Sequence, residues 1–284
     1  MKDYNIIVIL GPTASGKTEL SLEIAKQVNG EIINADAFQV YKKMDIGTGK
    51  ILPEEMQGIK HHLINIIDYD QEFDVSIYQI LARQTIDNII SNNKVPILIG
   101  GSNLYLDSVI YDYQFTQNDK LQETIKKYEE YSLEDLQNII DSKNITINNS
   151  EYHNHKRLAR IIAKDELNID NNNNKHKLLY KPLFIKIDTN REVLYDKINM
   201  RVEKMFELGL VEEVKQFDPN FTSQQAIGYK EVHQYLNNEI DLNTCIDLVK
   251  QKSRNYAKRQ ITWISKIDAD VIVRKEDDIW NTIN

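Results

Sequence analysis

One cysteine, five prolines and ten glycines in 284 residues leave several architectures out of reach. The lone Cys245 excludes a disulfide framework and a multi-cysteine zinc site. No base motif accompanies it, so it reads as a structural residue of a C-terminal helix. Proline and glycine this scarce exclude a linker-rich or low-complexity chain. Long apolar runs are missing as well: Ile6–Leu10 and Val95–Ile99 are far below the ~18 residues that a membrane span needs. Asn5–Leu10 ends in Gly-Pro and reads as a strand rather than the apolar part of a leader. Lys and Arg number 35 against 43 Asp and Glu, a formal charge of −8. Taken globally, that excess of acid argues against a nucleic-acid partner, because phosphate contacts need clustered cations. With 41% hydrophobic and 27% charged residues, the expectation is a soluble, cytosolic, globular protein with one large or two modest domains.

What is present has a βαβ rhythm over the first hundred residues, the pattern of a parallel sheet flanked by helices. Asn5–Leu10 predicts a buried strand and Lys17–Val28 a helix, with Gly30 placed as its C-terminal glycine. Glu31–Asn34 predicts a second strand, and His62–Ile67 a third. Val75–Ile90 reads as a helix whose Ile77, Ile80, Leu81, Ile86, Ile89 and Ile90 share a face. Val95–Ile99 is the next buried strand, stopped by Gly100-Gly101. Residues 112–150 break the rhythm with two helices, near Leu121–Tyr131 and Leu133–Ile140, and read as a small helical insertion domain. Residues 1–111 and 151–284 then form one α/β core of the P-loop type with a helical C-terminal part. In that part a helix resumes at Tyr152, followed by an Asn-rich loop at Asn171–Asn174 and a strand at Leu183–Ile187. Helices over Arg191–Leu208, Val211–Phe217, Ala226–Leu236 and Thr244–Ile264 lead to a last strand at Asp270–Val273.

The sharpest motif is Gly11-Pro12-Thr13-Ala14-Ser15-Gly16-Lys17-Thr18, a match to G-x4-G-K-S/T between a buried strand and a helix. Glycines let backbone N–H groups converge on phosphate oxygens, and the helix N-terminus adds partial positive charge. Lys17 would reach the terminal phosphates and the Thr18 hydroxyl would hold Mg²⁺. The motif specifies a polyphosphate ligand rather than ATP. An ATPase or GTPase site needs a second strand ending in an acid, whereas Val95–Ile99 ends in Gly100-Gly101-Ser102. Asp36 follows the second strand on the same carboxyl edge, where open α/β sheets bind ligands. Its residue type there is compatible with a magnesium-shell ligand, a cap or turn residue, or a catalytic base.

Charge is distributed unevenly. Residues 112–150 hold eight acids against four lysines, a local −4. From Tyr152 to Ile187, eight basic residues including Lys156, Arg157 and Arg160 meet three acids, giving +5. From Lys250 to Lys266, six basic residues meet no acid within the segment, giving +6. Such runs are usually solvated helix faces. Lys252, Tyr256 and Arg259, at i, i+4 and i+7, would also place cations and an aromatic on one face suited to an RNA loop. His61-His62 lacks a third ligand at metal spacing, and adjacent strand residues point to opposite faces. Trp263 and Trp280 read as packing residues.

From Asn34-Ala35-Asp36-Ala37-Phe38-Gln39-Val40-Tyr41 through Met44-Asp45-Ile46-Gly47-Thr48, the chain resembles the bacterial tRNA dimethylallyltransferase family. The likeness continues through His61-His62-Leu63-Ile64, Gly100-Gly101-Ser102-Asn103-Leu104-Tyr105 and Arg157-Leu158-Ala159-Arg160. It then takes in Arg201 with Gly209-Leu210, Ile227-Gly228-Tyr229-Lys230-Glu231, and Tyr256-Ala257-Lys258-Arg259-Gln260-Ile261-Thr262-Trp263. Ser102 stands where threonine is usual in the family, and His155 where an aspartate is common. No zinc-finger extension follows Trp280, so the bacterial rather than the eukaryotic form is expected.

The resemblance implies transfer of a dimethylallyl group from dimethylallyl pyrophosphate to the amino nitrogen of the adenine just 3′ of the tRNA anticodon. It implies that the phosphate loop, Gly11 to Thr18, holds pyrophosphate together with Arg201, with Mg²⁺ as cofactor. Asp36 would be the catalytic base, and Thr13 would lie beside the scissile C–O bond. The turn Asp36, Ala37, Phe38 and Gln39 would contact tRNA, as would Ser102, Lys156, Arg157, Arg160, Lys252, Tyr256 and Arg259. A monomer without membrane association is expected. A free-adenylate isopentenyltransferase, a P-loop small-molecule kinase and a non-catalytic RNA-binding protein are the competing classes.

Overall fold

The computed structural model describes residues 4–115, 119–169 and 174–274, which fall into two compact units. The larger unit comprises residues 1–112 and 175–284 and the smaller comprises Tyr113–Asn174. The larger begins with β1 (Ile6–Leu10), α1 (Lys17–Val28), β2 (Gly30–Asn34), β3 (His61–His62), α2 (Val75–Ser91), β4 (Val95–Ile99), α3 (Asn103–Ile110) and β5 (Tyr111–Asp112). The smaller holds α4 (Asp119–Glu129), α5 (Leu133–Ser142), α6 (Asn149–Tyr152) and α7 (His155–Glu166). The chain then forms β6 (Asn174–Leu178), β7 (Pro182–Ile187), α8 (Arg191–Glu207), α9 (Leu210–Val214), α10 (Tyr229–Leu236), α11 (Leu242–Ile264) and β8 (Val271–Val273).

Six strands make one parallel sheet in the order β3-β2-β4-β1-β7-β8. β1 is one of its two central strands, with Val8 opposite Leu98 on one side and Phe184 on the other. Strand side chains alternate between faces, and β1 is buried on both. Ile6, Val8 and Leu10 join Tyr78, Ala82, Ile86 and Ile89 of α2 and Leu106 and Val109 of α3. Ile7 and Ile9 join Leu20, Ile24, Ala25 and Val28 of α1 on the opposite face. Each fully buried branched side chain contributes about 1.5–3 kcal/mol, which is why the strand needs no polar residue. The expected α/β P-loop-like architecture is therefore the observed one. Among the described residues, no helix is long and apolar enough to cross a membrane.

Four local expectations need correction. Gly30 does not cap α1: Asn29 does so, in left-handed conformation with φ 54°. Gly30 instead opens β2, where a Cβ would lie 2.9 Å from the Val95 carbonyl oxygen, so close strand approach is what requires glycine. The third strand is only His61–His62, because Leu63 (φ 57°) and Asn65 (φ 55°) turn the chain. Ile67 makes an isolated bridge with Tyr41 instead. On α2, Ile77, Ile80 and Ile90 are exposed, while Tyr78, Ala82, Ile86 and Ile89 form the buried stripe. Tyr78 and Ala82 take buried positions at helical spacing with Ile86 and Ile89.

The fourth correction concerns the insertion, which extends to Asn174 rather than ending at 150. α7 presents Leu158, Ala159, Ile162 and Ala163 to Leu121 of α4 and Leu136 and Ile140 of α5. These apolar residues have a common core, so α7 belongs to the small unit and not to the larger one. His155 opens this helix, its Nε2 2.6 Å from the Tyr131 carbonyl, and Asn154 caps it through the Arg157 amide. Lys156, Arg157 and Arg160 are exposed on α7. The Asn-rich loop at 171–173 and Trp280 lie outside the described residues.

Candidate active site

At the carboxyl edge of the sheet, β1 runs into the phosphate loop. Ala14 (φ 61°) and Gly16 (φ 93°) take left-handed conformations, and Gly16 is the N-cap of α1. Successive amides in such a turn form a concavity for an anion. Gly11 sits where a Cβ would lie 2.6 Å from Ser15 Oγ. That hydroxyl is buried and finds no hydrogen-bond partner among the described residues, a donor left available to a ligand. Lys17 Nζ donates to the Pro12 carbonyl at 2.7 Å. Burial, followed by the nearby Arg201 charge, pushes the Lys17 ammonium down to about 7 against the opposing pull of Asp36. Thr18 is the second residue of α1 and is exposed.

Arg201 reaches the same loop from α8. Its Nη1 donates to Thr13 Oγ1 at 3.3 Å, and its Nη2 to the carbonyls of Thr48 and Gly49 at 3.3 and 3.4 Å. Gly49 (φ 56°) has to be glycine, because a Cβ there would lie 1.7 Å from Arg201 Nη2. Gln39 Nε2 also donates to the Thr48 carbonyl, at 3.2 Å. The two cations Lys17 and Arg201 thus stand within one cavity of about 460 Å³, bounded also by Asp36, Gly100 and Gly101. Like charges brought together in a buried site favour an anionic ligand.

Asp36 follows β2. Its Oδ1 accepts the Phe38 amide at 2.9 Å, as a turn-forming aspartate does, while no described residue donates a hydrogen bond to Oδ2. Asp36, Thr13 and Arg201 line both the phosphate-loop cavity and a second one of about 250 Å³. The second is bounded largely by apolar side chains, among them Phe38, Ile198, Val202, Met205, Ile227 and Val249. An anion cradle and an apolar chamber therefore meet at one carboxylate. Beside it, Ser102 Oγ accepts the Ala37 amide at 3.2 Å, and the Ser102 amide donates to the Ala35 carbonyl at 3.2 Å. This turn packs so closely that a Cβ on Gly100 would lie 2.1 Å from the Ala35 carbonyl oxygen.

The basic run in α11 does not act as one face. Lys252 Nζ pairs with Glu231 Oε1 at 2.6 Å, and that carboxylate side chain is 1% exposed. Lys250 pairs with Glu203 at 2.6 Å, and Arg254 donates to Asn199 Oδ1 at 2.6 Å. The run lacks acids in its own segment, but α8 and α10 supply them. Tyr256 turns into the site, its hydroxyl donating to the Gly101 carbonyl at 2.6 Å. Lys258 and Arg259 remain exposed, with the Arg259 guanidinium 5.7 Å from the Tyr256 ring centroid. Trp263 packs against the core and donates to Asp107 Oδ2 at 3.1 Å. Cys245 is buried among α10 and α11 residues, and burial pushes its thiol up to about 11. His62 Nε2 lies 2.6 Å from Glu31 Oε2 and His61 Nδ1 2.9 Å from the Ile59 carbonyl. Among the described residues, no three His, Cys, Asp or Glu side chains gather to hold a metal.

Two residues outside the expected set organise the site. Glu213 of α9 accepts the amides of Asp45, Ile46 and Gly47 at 3.0, 2.7 and 3.0 Å. It thereby fixes the loop whose Thr48 and Gly49 carbonyls receive Arg201. Its only sequence signal is an acid on an apolar stripe, between Leu210 and Val214. Gln260, 1% exposed, accepts the Thr13 amide through Oε1 and donates to the Gly101 carbonyl through Nε2, both at 2.8 Å.

Residues 39–267 match the family model described as IPP transferase. The tRNA dimethylallyltransferase of Macrococcus caseolyticus is 42% identical over 278 residues, covering 93% of this chain and 89% of that protein. That of Oceanobacillus iheyensis is 38% identical over 300 residues, covering 98% and 96%. Among solved structures, the full-length tRNA isopentenylpyrophosphate transferase of Bacillus halodurans is 34% identical with a TM-score of 0.75, covering 99% of this chain and 93% of that one. A eukaryotic dimethylallyltransferase acting on tRNA is 28% identical with a TM-score of 0.77, covering 95% and 73%.

Proposed function

The chain belongs to the IPP transferase family, and from that premise we propose that it is a cytoplasmic tRNA dimethylallyltransferase. It moves the dimethylallyl group of dimethylallyl pyrophosphate to the exocyclic amino nitrogen of the adenine just 3′ of the anticodon, releasing pyrophosphate. The observation that carries this reading is the meeting of anion cradle and apolar chamber at Asp36. A phosphoryl donor would need only the cradle, whereas a prenyl donor and a purine also need an apolar space.

The amino nitrogen forms a bond to the allylic carbon as that carbon's bond to oxygen breaks, its electron pair leaving on pyrophosphate. Lys17, the loop amides, the Ser15 hydroxyl and Arg201 stabilise the charge developing on the leaving group, which is usually the largest catalytic contribution. Thr13, held by Arg201 at 3.3 Å, presents its hydroxyl at the bridging oxygen. Asp36 takes the amine proton through Oδ2 while Oδ1 remains committed to the Phe38 amide. Its turn-forming and base roles are thus divided between two oxygens. Mg²⁺ takes one or two protein oxygens along with phosphate oxygens and water, so the exposed Thr18 hydroxyl beside the loop fits it without an acidic cluster. When bound, the ion would neutralise charge on the pyrophosphate. The turn Asp36–Gln39, Ser102, Tyr256 and Arg259 take the extruded adenine and its loop. Unpairing and unstacking cost least where the base is already in a single-stranded loop.

Incubation of the chain with labelled dimethylallyl pyrophosphate, Mg²⁺ and either unmodified tRNA or AMP tests the reading. Label is expected in tRNA. Label in AMP alone, or consumption of ATP with a small hydroxyl acceptor, would overturn it.

A further inference from the structure

Gln260 lies far along the chain from the phosphate loop yet is bonded directly to it. Its Oε1 accepts the Thr13 amide and its Nε2 donates to the Gly101 carbonyl, both at 2.8 Å. The same carbonyl receives the Tyr256 hydroxyl at 2.6 Å, which occupies both of its lone pairs. Gly101 is wedged in place: a Cβ there would lie 2.6 Å from Gln260 Nε2 and 3.6 Å from Asp36 Oδ2. On the other side, Thr13 Oγ1 receives Arg201. A continuous series of hydrogen bonds therefore runs from Arg201 through Thr13 and Gln260 to Gly101, whose neighbour Ser102 bonds Ala35 and Ala37 on either side of Asp36.

We infer that Gln260 is a positioning residue, whose buried amide locks Thr13 to the Gly101 turn and so sets the leaving-group side of the site against the base. The inference rests on the prenyl-transfer roles proposed for Thr13 and Asp36. Its chemistry is specific. Thr13 needs an acceptor and Gly101 a donor, and a primary amide offers both without introducing charge next to a pyrophosphate. The bond also removes the Thr13 amide from the set facing phosphate, so Thr13 serves the reaction through its hydroxyl. A displacement of about 1 Å between reacting groups costs on the order of a hundredfold in rate, and this one amide bonds both sides directly.

Gln260→Met keeps the length and loses both hydrogen bonds, and Gln260→Glu keeps the acceptor and loses the donor unless protonated. Each is assayed with labelled dimethylallyl pyrophosphate and unmodified tRNA beside the unsubstituted chain, whose label transfer is established first. Activity of that control separates a failure of this inference from a failure of the proposed reaction. Gln260→Met is expected to lower kcat about ten- to a hundredfold while KM for tRNA stays within about twofold. For Gln260→Glu, the ratio of its kcat to that of the unsubstituted chain is expected to rise as pH falls, because the protonated carboxyl again donates to Gly101. If the methionine variant fails to fold, the glutamate pH profile decides. An unchanged kcat in a folded Gln260→Met, or a flat kcat ratio for Gln260→Glu, would overturn the assignment.

Discussion

The carboxylate of Glu213 accepts the phenolic hydrogen of Tyr229, and the two side chains together clamp the loop that carries Gly47. A Cβ on Gly47 would lie 2.4 Å from the Tyr229 ring, so the glycine and the tyrosine in two separated motifs are one structural unit. Burial, followed by the Glu213 charge, pushes the Tyr229 phenol well above its ordinary range, and it stays a donor. The clamp matters to the site because the same loop offers the Thr48 and Gly49 carbonyls to Arg201.

Glu213→Ala should therefore act on stability and on Arg201 together. It strands three amides and a phenol in a buried place, a loss on the order of 3 kcal/mol. Denaturant unfolding should show that loss, and pyrophosphate affinity should fall with it. Glu213→Gln retains acceptor capacity on one oxygen only and should be intermediate. A Glu213→Ala variant as stable as the original chain would remove the clamp from the explanation.

Lys17 carries a pH prediction. Its ammonium, pushed down to about 7 by burial, is lost in the free protein as pH rises through that value. A bound pyrophosphate favours the charged form and raises the pKa again. Donor binding should accordingly take up a proton above about pH 7, and affinity should weaken as pH rises. Calorimetric titrations in buffers of different ionisation enthalpy measure the uptake. Lys17→Arg, whose charge does not titrate in this range, should lose the component due to this residue.

The exposed pair Lys258 and Arg259 predicts an electrostatic contribution to tRNA binding. Neutralising both should weaken tRNA affinity and reduce the slope of log affinity against log salt by roughly 1.5, as two lost contacts on a single strand would. Lys252→Gln should instead lower stability, because it strands the buried Glu231. Salt titrations of the two variants distinguish these roles, and an unchanged slope in the double variant would assign Lys258 and Arg259 to the solvated surface.

Parts of the site that are local in sequence were legible in it. The strand Ile6–Leu10, the glycine-rich loop and the helix Lys17–Val28 follow one another directly, so their pattern states both fold and ligand class. Asp36 could be placed on the ligand edge, but its role stayed open because one carboxylate side chain is compatible with cap, ligand and base. Its two oxygens divide those roles only in three dimensions. Gln260 and Glu213 were illegible for a different reason: they bond Thr13 and Gly47 across 247 and 166 positions. The basic run in α11 misled because its neutralising acids, Glu203 and Glu231, come from other helices. The insertion runs beyond 150 because the buried face of α7 packs with α4 and α5, a tertiary relation that a helix resuming at Tyr152 does not reveal in sequence.

The most direct test is a single-turnover measurement of prenyl transfer by Asp36→Ala, alongside its tRNA affinity. Removal of the base should lower the transfer rate by about 10²–10⁴-fold, while tRNA binding is expected to persist, since the exposed cations Lys258 and Arg259 are unchanged. Transfer at the original rate, with tRNA binding intact, would contradict the assignment of Asp36 as the base at the junction of the two cavities.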